Sequence, residues 1–245
     1  MRLPALDSPK WHSTWASFGF GFLAVGSSIL GLVLFATYVG IGALAHNAGF
    51  SLGWALASTL FVWAGPAQII LISTLGAGAT IVQAGVAVTL SAIRLFPMVV
   101  AILPMLRGPR TPLRKLVLPA HFIAVTMWIE SFRLLPRVPR ESRIAFANGL
   151  GSGLVSVCLF ATAFGYELAA NLPDLLAAGI LLLTPLAFLF STARNSKQLV
   201  DRVALVAGLA LFPIVSQLHT GVDLLISGVV AGTLAYGVHR WRRLQ

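Results

Sequence analysis

The stretch STLFVWAGPAQIILIST, Ser58 to Thr74, is apolar enough to lie in lipid, yet it holds Gly65, Pro66 and Gln68 near its middle. Proline has no N–H, and its ring clashes with the carbonyl four residues earlier. In a continuous helix this would leave carbonyls near Val62 and Trp63 without their usual donors, and Gly65 adds backbone freedom. Gln68 then offers an amide donor and acceptor. Interrupted backbone at membrane depth is tolerated where it is buried in protein or lines a wet cavity. Transporters use such breaks to aim half-helix ends at substrate charges. A zwitterionic amino acid suits a site with a helix N-terminus for its carboxylate and free carbonyls for its ammonium. The alternative is a proline kink packed by neighbours, with Gln68 bonding another helix.

Outward from that stretch, charge is scarce. The 245-residue chain is 58% hydrophobic and 10% charged, with a mean hydropathy of +0.90. Residues 11–93, 83 in all, carry no Asp, Glu, Lys or Arg. A spanning helix takes roughly 20 residues, so three crossings fit there. A spanning structure must pair its own backbone, as helices or as a closed barrel. Barrels show alternating segments of about ten residues; this chain shows solid apolar blocks. The expectation is an all-α polytopic membrane protein.

The net charge of +10 raises nucleic acid as a partner. Its carriers flank apolar blocks instead of forming one patch: Arg107 to Lys115, Arg133 to Arg143, Arg194 to Arg202 and Arg240 to Arg243. That is a positive-inside distribution, and it argues against nucleic acid. The single cysteine, Cys158, makes neither an intrachain disulfide nor a zinc site and reads as a buried structural residue. The first apolar run, Phe18 to Ala45, exceeds a secretory core of about 7–15 residues and reads as a retained helix.

Eight apolar segments follow: 18–45, 51–74, 79–106, 116–133, 144–168, 174–192, 202–218 and 221–239. They form one domain, 1–245, with a basic hinge at 133–143 between an N-terminal half, 1–133, and a C-terminal half, 144–245. In the second half basic and nonbasic turns alternate, which puts both its ends, and the termini, in the cytoplasm. The first half conflicts with itself. Eight full crossings place Arg107 to Lys115 outside, whereas a re-entrant 51–74 strands Arg133 to Arg143 outside unless 116–133 also fails to cross. Either one basic loop breaks the rule or two segments are irregular.

Within the blocks, Arg94 (TLSAIRLFPMVV) and Glu130 (VTMWIESFR) are ionisable residues of the kind that mark pathways or coupling sites. They can pair with each other, or Glu130 can pair with Arg133 at i+3. His121 is either an interfacial histidine or a group that changes charge near neutral pH. Gly149 and Gly153 (FANGLGSGL) have the spacing of a close helix contact. Gly76 and Gly78 mark a turn, and neither glycine cluster has the Lys-Ser/Thr of a phosphate loop. No Ser-His-Asp set, carboxylate pair or metal-ligand cluster appears, so the expectation is neither an enzyme nor a cofactor or metal protein. Transport of a small solute is one reading, by a carrier or a channel. A noncatalytic membrane scaffold is the other.

The run GALAHNAGFSLGWALASTLFVWAGPAQIILISTLGAGA, Gly42 to Ala79, resembles the AzlC-type family of branched-chain amino acid exporters. That family has a G-x-L-A helix end, an A-G-x-S turn, an A-G-x-x-Q core and a Gly-Ala turn. Here these are Gly42 to Ala45, Ala48 to Ser51, Ala64 to Gln68 and Gly76 to Ala79. Arg94 keeps the Arg of an Asn-x-Arg motif whose Asn is replaced by Ala92, and Glu130 keeps the acid of an Asp-Glu pair. The resemblance implies a large permease subunit of a bacterial inner membrane that exports leucine, valine and isoleucine by secondary transport. It also implies a small companion membrane subunit of the AzlD type. Gly65, Pro66, Gln68 and Arg94 would then line the substrate path, with Glu130 and His121 as counter-charge or coupling groups.

Overall fold

The computed structural model describes residues 3–108, 111–171, 199–218 and 223–242, with Leu186, Leu189 and Ala193 between them. Among these residues every regular element is a helix. The sixth expected segment, 174–192, lies outside the described residues but for Leu186 and Leu189, as do Arg110, Asp174, Arg194, Lys197 and Arg243.

The first expected segment is two helices, α1 (Thr14–Ala24) and α2 (Ile29–Asn47). A 3-10 turn over Val25–Ser27 and an extended Ser28 part them. Both lie along α9 (Arg143–Asn171), the longest described helix at 29 residues, which rises about 43 Å. Glycines allow the contact. A Cβ on Gly149 would strike the Phe18 carbonyl, and one on Gly21 the Phe146 carbonyl. Further along, Gly165 meets the Val39 carbonyl and Gly42 the Thr162 carbonyl. Contact positions advance together in both partners, so α1–α2 and α9 run side by side in the same direction. A Cβ on Gly153 would stand 2.9 Å from the Phe22 carbonyl oxygen, so the Gly149/Gly153 pair seats α1. Cys158 is buried and free in this same helix.

The next expected segment doubles back on itself. It splits into α3 (Leu52–Phe61) and α4 (Gly65–Gly76). The hairpin starts where the Tyr166 hydroxyl donates to the Phe50 carbonyl (2.8 Å), at the C-terminal end of α9. It returns to that end, because a Cβ on Gly76 would stand 3.2 Å from the Ala48 methyl. The two turns at this end share one device. Gly49 and Gly78 take φ of 79° and 83°, and Phe50 N–H and Ala79 N–H reach back to the carbonyls of Ala45 (3.0 Å) and Thr74 (3.1 Å). Left-handed glycine closes a helix in this way.

The chain then crosses to the other end through α5 (Ile81–Ala92) and α6 (Leu95–Leu106), bent by 52° at Ile93 and Arg94. There the Met105 carbonyl accepts from Arg143 Nη1 at 3.1 Å. A second hairpin enters from this end: α7 (Arg114–His121) and α8 (Val125–Leu134). Arg114 and Lys115 share a cavity wall with Arg140 and Ser142, and the Val138 carbonyl just beyond α8 accepts from Arg143 Nε at 3.0 Å. At its tip the Phe122 ring fills the notch over Gly151.

This removes the conflict in the basic loops. Both 51–74 and 116–133 enter and leave at one end, so Arg107, Arg114 and Lys115 gather with Arg133, Arg137, Arg140 and Arg143 at a single basic end. The expectation of eight segments is corrected: two described helices, or three counting the bent pair, are long and apolar enough to cross a membrane. A broken or bent span followed by a hairpin occurs twice, in opposite orientations. The last described helices, α10 (Leu199–Val215) and α11 (Asp223–Arg242), pack on each other with Gly208 facing Ala231. Large apolar side chains cover the outside, among them Trp15, Ile81, Phe96, Phe61 and Phe160, all at least 66% exposed. So much exposed apolar surface is foreign to soluble monomers and normal beside lipid.

Candidate functional site

The two hairpins, entering from opposite ends, meet tip to tip. Trp63 Nε1 donates to the His121 carbonyl at 3.1 Å. His121 Nε2 lies 3.1 Å from the Leu60 carbonyl oxygen. A carbonyl only accepts, so this contact assigns the proton to Nε2. Trp63 is buried.

Just beyond, the interruption at Pro66 takes a form different from the expected kink. Helix α3 ends at Phe61, and Pro66 sits in the first turn of α4, where a missing N–H is harmless. The carbonyls of this region are freed by the end of α3, not by the proline ring. One of them, Leu60, is taken by His121. Another, Ala64, starts the α4 ladder by accepting from Gln68 N–H at 3.0 Å.

Gln68 is fully buried. Its Nε2 donates to Ser58 Oγ and Thr59 Oγ1, each at 2.8 Å. Both hydroxyls spend their own proton on the Ala55 carbonyl, at 2.8 and 3.0 Å. Thr59 Oγ1 also meets Thr162 Oγ1 of α9 at 3.0 Å. Each hydroxyl therefore accepts from the carboxamide, which fixes which of its atoms is nitrogen. The other atom, Oε1, is out of solvent and has no hydrogen-bond partner. An unpaired buried acceptor costs roughly 1–3 kcal/mol. It calls for a donor.

Side-chain caps are unevenly placed, and α6 and α7 start without one. Helix α3 is capped by Ser51, which accepts from Trp54 N–H at 3.2 Å, and α5 by a Thr80/Gln83 box. Helices α4 and α8 start behind Ala64 and Ala124 with no side-chain cap. Their first N–H groups have no intrahelical partner and form the positive ends of two helix dipoles.

Glu130, 3% exposed, does not pair with Arg94. Its Oε2 binds Arg133 Nε at 2.8 Å, the i+3 alternative, and its Oε1 accepts from Ser28 Oγ. The partner that sequence reasoning missed is thus Ser28, at the α1–α2 break. Arg94 is exposed at the α5–α6 bend and makes no ion pair among the described residues. Proximity also brings in Ser58, Thr59, Trp63 and Thr162, none singled out from the sequence. Ser58 and Thr59 precede Gln68 by ten and nine residues, a spacing that means nothing until the chain doubles back between them. No group of three or more metal-ligating side chains occurs among the described residues.

Discontinuous helices whose half-helix starts meet at one junction are an arrangement that transporters use. The AzlC protein family model matches residues 28–172, more than half of the chain and everything from the α1–α2 break to the end of α9. The chain belongs to the AzlC family, which is associated with branched-chain amino acid transport. Comparison with curated proteins and with solved structures returns no match.

Proposed function

We propose that the protein is the large subunit of a secondary transporter that exports amino acids, branched-chain ones above all, across a bacterial inner membrane. One observation carries this reading: the unpartnered Gln68 Oε1 beside the uncapped start of α4. An amino acid supplies what each lacks. Its ammonium donates to the carboxamide oxygen, and its carboxylate accepts from the α4 N–H groups. Membership of the AzlC family supports an aliphatic side chain for the cargo.

The protein acts as a carrier, not an enzyme. With the hairpins latched, Gln68 is sealed from solvent, so cargo reaches it only when the tips part. The gathered arginines and lysines support a cytoplasmic basic end. The same reading supports a cytoplasmic N-terminal segment, because α1 starts at the same end as α9. The resemblance brings a small companion subunit of the AzlD type. Arg94 supports a covered surface at the α5–α6 bend, since a guanidinium facing lipid at mid-span is costly.

Counterflow of labelled leucine in proteoliposomes tests the reading. The wild type, with its companion, accumulates label transiently, and Gln68→Ala abolishes this while still inserting and folding. No counterflow from the wild type, with or without the companion, overturns the reading.

A further inference from the structure

A cavity of about 890 Å³ opens at the basic end, between the N-terminal segment, the start of α7 and the turn into α9. That size suits a small-molecule site. Its wall carries both signs of charge: Asp7 and Glu141, with Arg114, Lys115 and Arg140. None of these five forms an ion pair among the described residues. Unlike charges in one cleft normally find each other, and here they stand apart around an open volume. Leu6, Leu118 and Ile144 add an apolar wall. Asn148 lines the same cavity, and its Oδ1 is buried without a hydrogen-bond partner. A turn of the carboxamide about its last torsion would offer that oxygen to a donor.

We propose that this cavity is a second station for a zwitterionic aliphatic amino acid, occupied before the cargo passes the hairpin tips. The carboxylate meets Arg114, Lys115 and Arg140. The ammonium meets Asp7, Glu141 and the Asn148 oxygen. The side chain rests on Leu6, Leu118 and Ile144. Leu118 lies one helical turn before His121, so the station ends where the junction with Leu60 begins. The inference rests on the transport reading above and names where the cargo waits.

Two measurements test it on the full-length protein with its companion. Thr14 is exposed on the cavity wall, so Thr14→Cys gives a reporter thiol, while native Cys158 is buried. Leucine slows maleimide labelling of that thiol, and 4-methylpentanoate, which lacks the ammonium, does not. In sided vesicles, Glu141→Gln raises the half-saturating leucine concentration roughly tenfold from the basic side and leaves the other side unchanged. A merely structural role for Glu141 would shift both sides. Wild-type counterflow without leucine protection and without the one-sided shift overturns the station and leaves the transporter standing. Leucine protection without counterflow supports the station and removes the transport reading. Labelling slowed by anionic phospholipid and not by leucine assigns the cavity to a lipid headgroup and overturns the proposal.

Discussion

His121 Nε2 and the Leu60 carbonyl oxygen lie 3.1 Å apart, and Trp63 returns a bond to the carbonyl of that same histidine. Sixty-one residues separate Leu60 and His121 in the chain, yet this reciprocal pair is where two hairpins from opposite ends close on each other.

His121→Phe keeps a ring and removes the donor, which leaves the Leu60 carbonyl unpaired at the junction. The contact is exposed, so the expected cost is about 0.5–1.5 kcal/mol, read as a lower unfolding midpoint in detergent. Trp63→Phe leaves the His121 carbonyl unpaired at the same junction, and its cost falls in the same range. An unchanged midpoint in both variants would show that the tips are held by other contacts.

Gln68→Met conserves bulk while taking away the amide that serves Ser58 and Thr59. It also removes the unpartnered oxygen. Those two effects on stability oppose each other, so the folded protein changes by no more than about 1 kcal/mol. Leucine counterflow falls at least tenfold. Transport at wild-type rate in this variant would take Gln68 out of the path.

Glycine replacements separate packing from propensity. Gly149→Val and Gly165→Val force a branched side chain into the Phe18 and Val39 carbonyls, and the folded protein is not recovered. Gly85→Ala in α5 meets nothing within 4 Å and stabilises by up to about 1 kcal/mol through helix propensity. Folding yield by size-exclusion chromatography and thermal midpoints read the contrast.

The carboxylate of Glu130 is buried and its partner Arg133 is half-exposed, 4% against 48% of side-chain surface. Removing only the arginine strands a buried charge, with Ser28 as its remaining partner. Arg133→Gln is therefore less stable than the double variant Glu130→Gln/Arg133→Gln. Thermal unfolding of the two side by side checks the order, and the reverse order would mean that solvent reaches Glu130.

How much of this was legible in the chain depends on range. The helical class was legible because the apolar residues come in solid blocks and not in the alternating segments of a barrel. The Gly65-Pro66 break was legible because proline acts locally, though its place at a helix start was not: a kink and a restart share the same residues. The doubling back of 51–74 and 116–133 was visible as a conflict in charge placement, and only the contact of Gly76 with Ala48 and the bond of Arg143 to the Met105 carbonyl decide it. The partners of Gln68 and Glu130 stayed hidden. A hydroxyl such as Ser28 carries no long-range signal, and its role exists only once α1 breaks next to α8. Segment counting failed because hydropathy measures solvent preference and says nothing about whether a block turns around.

Sidedness of labelling tests the hairpin architecture most directly. Single cysteines at Thr111, Glu141 and Ala77, in a Cys158→Ala background, are treated with an impermeant maleimide in right-side-out and inverted vesicles. The account predicts that Thr111→Cys and Glu141→Cys label from one face and Ala77→Cys from the opposite face. Labelling of Thr111→Cys and Glu141→Cys from opposite faces would mean that 116–133 crosses the membrane, and the meeting of two re-entrant tips would be wrong.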